Sequence, residues 1–167
     1  MALVVEDGTK ISGSNSYVSR ADYIAYASSI GVTVTDDETA DQQLIKAAEY
    51  IDYFEQNLMG YRVERDQSMS FPRIGLMIDG WTWNSDEIPE IVKDAQMQFA
   101  LDVKNGDDLY NRPNNPNQLV KRERVEGAIE IEYAVVNGSS NTDKLSKGDS
   151  LLRRLFKPTT YYQAVKA

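Results

Sequence analysis

The sequence predicts a mainly α-helical protein, a small bundle of three to four helices with a β-hairpin and with extended arms at its N- and C-termini. Three observations support this prediction. Several segments repeat apolar residues at the three- and four-residue spacing of a helix, and one later segment alternates apolar and polar residues as a strand does. The length of 167 residues, 41% of them hydrophobic, suits one domain with a core of its own.

Helix start and stop signals delimit the first two helices. Ser19 can cap the first helix, and Gly31 can end it. The second begins at Asp36 or Asp37 and continues to Gly60 as one apolar stripe of about five turns. The stripe consists of Ala40, Leu44, Ala47, Ile51, Phe54 and Leu58. Its opposite face is polar and acidic, which indicates a solvated face or, alternatively, an acidic wall along a shared channel.

A third helix is predicted in "SDEIPEIVKDAQMQFALDVKNG". Pro89 is tolerated in a first turn, and the acids around it suit the positive end of the helix dipole. The apolar stripe of this helix consists of Ile88, Val92, Ala95, Phe99 and Val103.

A β-hairpin is predicted at about residues 119–136. Ile129, Ile131 and Tyr133 alternate with acidic residues there, and "EG" makes a turn into this strand. Because an isolated two-stranded hairpin is only marginally stable in water, it should pack on the helices or on a neighbouring subunit. The three apolar residues are therefore candidates for a subunit interface.

The segment "SFPR" separates the second and third helices. Pro72 forces Phe71 into an extended conformation, so Phe71 and Arg73 form either a structural lock between helices or a contact between subunits. Trp81 and Trp83 follow, two residues apart, and are either a lid on the core or exposed interface anchors.

Composition divides the chain into a helical body with the hairpin, residues 1–136, and a linker with a C-terminal docking segment, residues 137–167. The docking segment is rich in the leucine, aromatic and arginine residues that are frequent at interfaces. It could fold back on its own domain or bind a partner. Its candidate docking residues are Leu151, Leu152, Arg153, Arg154, Leu155, Phe156, Lys157, Tyr161 and Tyr162.

Several function classes are disfavoured by what the sequence lacks. It contains no cysteine and no histidine, which removes thiol chemistry, the usual zinc ligands and the commonest general base. Phosphate-binding glycine loops are also missing. We therefore predict no enzymatic activity, no catalytic residues, no metal site and no cofactor. No apolar run is long enough to cross a membrane, and the N-terminus does not resemble a signal peptide, so we expect a protein made in a cytoplasm.

Charge is unevenly distributed along the chain. The net charge is −8, yet from Lys144 onward six basic residues face one acid. An acidic body repels nucleic acid in general, whereas the basic end could bind nucleic acid or an acidic protein surface.

Sequence blocks along nearly the whole chain resemble proteins of tailed phages. The blocks are "MALVVEDGT", "SNSYVS", "DQSMSFPRIG", "EIPEIVKDAQMQFAL" and "RVEGAIEIEYA". They are similar to phage proteins labelled DnaT-like single-stranded-DNA-binding proteins, and their layout also resembles the head–tail connector adaptors (head completion proteins). Since a strand-binding surface needs basic residues interleaved with aromatic ones, and the aromatics here lie mostly among acids, the connector is the leading expectation.

The resemblance to connectors implies a structural virion protein of the phage neck, located at the head–tail junction. It would form a homo-oligomeric ring, commonly of twelve copies, between the portal protein and the next neck or tail protein. Genomic double-stranded DNA would pass through its channel without specific binding, and the C-terminal residues named above would dock on the portal. The alternative is a single-stranded-DNA-binding replication accessory protein, and a small carboxylate-dependent enzyme is a further rival.

Overall fold

Four helices and three short antiparallel strand pairs make up the described part of the chain. The computed structural model describes residues 2–110, the backbones of 123–125 and 129–131, and residues 146–158. The helices are α1 (Arg20–Ser29), α2 (Glu38–Tyr53), α3 (Glu90–Lys104) and α4 (Lys147–Arg153). The strand pairs are β1 (Tyr61–Arg62) with β2 (Arg73–Ile74), β3 (Met77–Ile78) with β4 (Trp81–Thr82), and β5 (Glu123–Val125) with β6 (Ile129–Ile131). The prediction of a mainly α-helical bundle is therefore correct only in part, because this is a small mixed α/β domain.

The predicted helix starts are confirmed by capping hydrogen bonds. The Ser19 hydroxyl accepts from the backbone N–H of Asp22, and the Asp37 carboxylate accepts from that of Thr39. Each bond satisfies one backbone donor that a helix leaves without a partner in its first turn. In α3 the proline is the capping residue itself, so this helix begins at Glu90.

α2 ends at Tyr53, earlier than the apolar stripe predicts. A 3-10 turn, Glu55–Asn57, follows it, and Leu58 lies beyond the helix in an extended conformation. Leu58 is nevertheless fully buried, because the turn redirects the chain toward the core. Apolar spacing predicted the burial of this residue correctly and its secondary structure incorrectly.

α3 is the central element of the core, with α2 and α4 packed against it. Val92, Ala95, Phe99 and Ala100 of α3 are fully buried. From α2, a row of small and large apolar side chains faces them: Ala40, Leu44, Ala47, Ala48 and Ile51. No helix in residues 2–110 or 146–158 has both the length and the apolar character needed to span a membrane.

The N-terminal segment is folded, which corrects the expectation of an extended arm there. Glu6 is buried and its carboxylate accepts hydrogen bonds from the N–H groups of Gly8, Lys10 and Ile11, at 2.8–2.9 Å. Gly8 lies so close to α3's entry that a Cβ atom would be 2.0 Å from the carbonyl oxygen of Asp86. The carboxylate thus replaces water as the acceptor for a tight loop that packs against the body.

The predicted β-hairpin exists as the backbone pairing of β5 with β6, in which Val125 lies opposite Ile129. Ile129 and Ile131 belong to β6, and their side chains lie outside the described residues. Tyr133 lies wholly outside them, as do Tyr161 and Tyr162. The role of Ile129, Ile131 and Tyr133 at a subunit interface stays a prediction.

The C-terminal segment folds back on the body as far as Pro158. Leu152 and Leu155 are fully buried in the domain's own core. Two backbone hydrogen bonds join this segment to the region after α2: Met59 N–H donates to the Leu155 carbonyl at 2.9 Å, and Lys157 N–H donates to the Asn57 carbonyl at 2.8 Å. Residues 146–158 are therefore part of the domain and not an extended arm.

Candidate functional site

Phe71 and Arg73 have their contacts inside the chain, which corrects their interpretation as subunit-interface residues. Phe71 is fully buried and meets the ring of Tyr17 edge-on, with 5.8 Å between centroids. Arg73 is also buried, and its guanidinium donates hydrogen bonds to the carbonyls of Met59 (2.7 Å), Gly60 (2.8 Å) and Ser70 (3.1 Å). These two side chains act as the structural lock that the sequence offered as the alternative.

A buried polar pair supports the same loop. The Tyr17 hydroxyl donates to Asp52 Oδ1 at 2.6 Å, and the same oxygen accepts from Ser70 N–H at 3.2 Å. Burial raises the pKa of Asp52, and burial together with the adjacent carboxylate raises the pKa of Tyr17 well above its ordinary value. This pair connects the N-terminal segment, α2 and the loop before β2.

The β3–β4 hairpin places one tryptophan in solvent. Its two-residue turn is Asp79-Gly80, with φ of 52° and 86°, the left-handed conformations that such turns require. Trp81 is 77% exposed, whereas the Trp83 side chain is half-buried against the core. The backbone N–H of Trp83 donates to the Leu76 carbonyl at 2.9 Å. The two tryptophans therefore differ in role: Trp83 covers the core, and Trp81 is available for contact.

The β1–β2 pair lies next to this hairpin and is also apolar on its exposed side. Tyr61 is 78% exposed and pairs with the exposed Ile74. Two residues, Gly75 and the buried Leu76, connect Ile74 to the exposed Met77 of β3. We call the exposed apolar residues of these two strand pairs, Tyr61, Ile74, Met77 and Trp81, the hairpin surface. Because Trp81 pairs with Ile78 and Met77 pairs with Thr82, Trp81 and Met77 lie on opposite faces of β3–β4.

The basic end of α4 contacts the turn of the β3–β4 hairpin. The guanidinium of Arg154 donates to the carboxylate of Asp79, which is two residues before Trp81 and 75 residues from Arg154 in the chain. Lys157 Nζ donates to the Gln56 carbonyl at 2.9 Å, in the turn that leads to β1. We call Arg153–Lys157, which has three exposed cations and no acid, the basic segment.

Exposed aromatic rings beside flexible cations can bind a polyanion that carries flat rings. The rings offer faces on which bases stack, and the cations neutralise phosphates. Within the described ranges no cluster of three or more carboxylates is arranged to hold a metal ion.

A scan against protein-family models matched residues 1–167 to the family described as "Putative DnaT-like ssDNA binding protein". The chain belongs to this family. Comparison of this DnaT-like protein with curated proteins and with solved structures gave no match.

The whole-chain match overturns the leading expectation from the sequence. The chain is not identified as a head–tail connector adaptor. We therefore no longer expect it to bind a portal or a downstream tail protein, or to form a twelve-membered ring around a passive DNA channel. The match supports the alternative, a single-stranded-DNA-binding protein. The expectation was wrong because it judged the aromatic residues by their neighbours in sequence. In the folded chain the contact of Arg154 with Asp79, two residues before Trp81, brings the basic segment to this tryptophan.

The residues proposed for docking on a portal now have different positions. Leu152 and Leu155 are buried, and Leu151 and Phe156 are half-buried against the core. The charged members Arg153, Arg154 and Lys157 are exposed and remain available for a ligand. Charge excess in the C-terminal sequence was the signal for these three. No comparable signal indicated Tyr61, which sequence reasoning missed.

Proposed function

We propose that this protein is a non-enzymatic single-stranded-DNA-binding protein, and that the hairpin surface together with the basic segment holds the strand. The family to which the chain belongs supports the ligand class. The observation that carries the proposed site is the contact of Arg154 with Asp79, which brings the exposed cations to the exposed rings.

Trp81 and Tyr61 serve as stacking platforms. Both side chains project into solvent from short strand pairs, so an unpaired base can approach each ring face without displacing core residues. Base–aromatic stacking tolerates any sequence, since every base has a flat face. A duplex keeps its bases stacked inside, and it therefore gains little from these two rings.

Local charge outweighs the net charge of −8 at this site. At physiological salt the Debye length is about 8 Å, so acids on the far side of the domain act weakly on a strand here. Asp79 is the acid that contacts the basic segment, and its pairing with Arg154 holds that arginine at the hairpin. Arg153 and Lys157 add two exposed cations for phosphates.

The test is titration of a fluorescein-labelled oligothymidine of about 20 nucleotides, followed by anisotropy at several salt concentrations. Three phosphate contacts predict a slope of log K against log salt of about −2, because each contact to a single strand contributes about −0.7. The double variant Arg153→Ala/Lys157→Ala should reduce that slope by about 1.4. Lys104→Ala, an exposed cation at the end of α3, is the matched control and should leave the slope unchanged.

Intrinsic fluorescence separates the two tryptophans. In a Trp83→Phe variant the remaining emission comes from Trp81, and the oligonucleotide should quench it on binding. Trp81→Ala should weaken binding by about 1–3 kcal/mol, or about 5- to 150-fold. Absence of binding at about 50 mM salt would refute the proposed function; binding that is indifferent to Trp81 and to the cations would refute the proposed site.

A further inference from the structure

A second site lies where α2 meets the turn that follows α3. A cavity of about 520 Å³ opens there, between Glu49 of α2 and the segment Gly106–Tyr110. Val103 and Leu109 form its apolar floor, and its rim is polar. None of its lining residues belongs to the hairpin surface or to the basic segment.

One exposed tyrosine, Tyr110, lines this cavity, and a second, Tyr53, packs against it. The Tyr110 ring meets the ring of Tyr53 edge-on at 5.5 Å and that of the buried Tyr50 at 5.3 Å. Tyr53 is 69% exposed and Tyr110 55%. The Asp108 carboxylate accepts from the Tyr110 N–H at 3.0 Å, which fixes the turn that presents this ring. The two rings are thus held in place by edge-on contacts while more than half of each side chain remains exposed.

Carboxylates dominate the charge of the cavity. Glu49, Asp107 and Asp108 line it, against a single Lys46. The effect is visible at Tyr110: burial raises the pKa of its hydroxyl, and the nearby charge of Glu49 and Asp108 raises it further. A negative potential therefore coincides with the electron-rich ring of Tyr110.

We propose that this cavity binds an arginine or lysine side chain presented by a basic segment of a partner protein. A cation gains from the Tyr110 ring and from the carboxylates at the same time, and its aliphatic stem can lie on Val103 and Leu109. Nucleic acid is a poor occupant, because its phosphates would meet three carboxylates. Charge complementarity thus selects a basic peptide, and the protein would hold DNA and such a partner on separate surfaces.

The probe is a fluorescein-labelled peptide of alternating glycine and arginine, titrated with the full-length protein at low salt. Glu49→Gln combined with Asp107→Asn should weaken its binding at least tenfold. The matched control removes the same two charges elsewhere, as Glu87→Gln with Glu90→Gln at the exposed start of α3, and should change binding less than twofold. This comparison separates the cavity from general attraction to an acidic protein.

Aromatic variants give a readout that charge alone would not move. Tyr110→Ala should weaken peptide binding at least fivefold, and Tyr110→Phe, which keeps the ring, should retain it. Trp81→Ala should leave peptide binding unchanged, so a failure of the DNA-binding proposal does not affect this result. Equal effects of the cavity and control charge variants, or normal binding by Tyr110→Ala, would overturn the proposal.

Discussion

The packing of α4 on α3 can be tested by adding a single methyl group at Gly148. This glycine lies in the first turn of α4, facing Phe99 of α3. A Cβ atom at that position would be 2.6 Å from Phe99 Cε1, 2.8 Å from Cδ1 and 3.0 Å from Cζ. Phe99 is fully buried and its ring is held edge-on by Tyr50 at 4.8 Å, so the ring has little room to retreat.

Two opposing effects determine the size of the change in Gly148→Ala. Overpacking a well-packed core costs about 1–3 kcal/mol. Replacing a helical glycine with alanine stabilises the folded state by about 0.5–1 kcal/mol, because less backbone entropy is lost on folding. The cost of the clash should exceed the entropic gain, since the contact is to a buried ring and not to the end of a flexible side chain. The net loss in the free energy of unfolding should be about 1–2 kcal/mol.

Urea denaturation measures this loss as a shift of the unfolding midpoint. With a slope of about 2 kcal/mol per molar urea, the midpoint should fall by about 0.5–1 M. Ser150→Ala is the matched control, because Ser150 is exposed in the same helix and its replacement improves helix propensity without a clash. Adding Phe99→Leu to Gly148→Ala should recover part of the loss, giving a non-additive double-mutant cycle.

The refuting result is a Gly148→Ala variant as stable as, or more stable than, the wild type. The methyl group would then have open space, and α4 would not be packed against Phe99. Without that packing Arg154 would not be held at Asp79, and the proposed DNA site would lose its structural basis.

Three further predictions concern the buried polar groups. Burial raises the pKa of Tyr23 to about 12. Because tyrosine in the unfolded chain ionises at a lower pH, the folded state should lose stability between pH 10 and 12. Tyr23→Phe lacks this contribution, so its urea midpoint should fall less than that of the wild type above pH 10. Burial also raises the pKa of Asp52, so this group favours the folded state most at low pH and loses that contribution as pH rises through its raised pKa. Asp52→Asn should therefore gain stability relative to wild type as pH rises from acid to neutral; a constant difference would contradict this. Lysine at position 73 cannot donate to all three carbonyls that Arg73 bonds. Arg73→Lys should therefore lower the free energy of unfolding by about 2–4 kcal/mol, seen as a lower melting temperature. A loss under about 0.5 kcal/mol would show that water replaces those bonds freely.

The helices were largely predictable because their signals are local. A cap such as Ser19 or Asp37 acts on a backbone donor two or three residues away, so the relevant physics is contained in a few neighbouring letters. The Asp79-Gly80 turn carries an equally local signal, typical of a two-residue hairpin, which our sequence interpretation overlooked.

Other features depend on contacts between distant parts of the chain. The N-terminal segment looks extended in sequence, yet one buried carboxylate, Glu6, gathers enough backbone donors to fold it. The apolar pattern predicts that Leu155 is buried, but it does not say whether it is buried in the chain's own core or against a partner. The structure places it in the chain's own core.

The sequence by itself determined the starts of the first two helices, the buried stripes and the excess of basic residues toward the C-terminus. The tertiary structure decided which of those residues meet. Arg154 approaches Trp81 through Asp79 across 75 residues, and Tyr110 joins Tyr53 beside a cluster of acids. Both surfaces depend on the packing of α2 and α4 against α3. Such packing energies are shared among many residues that no short stretch of sequence contains.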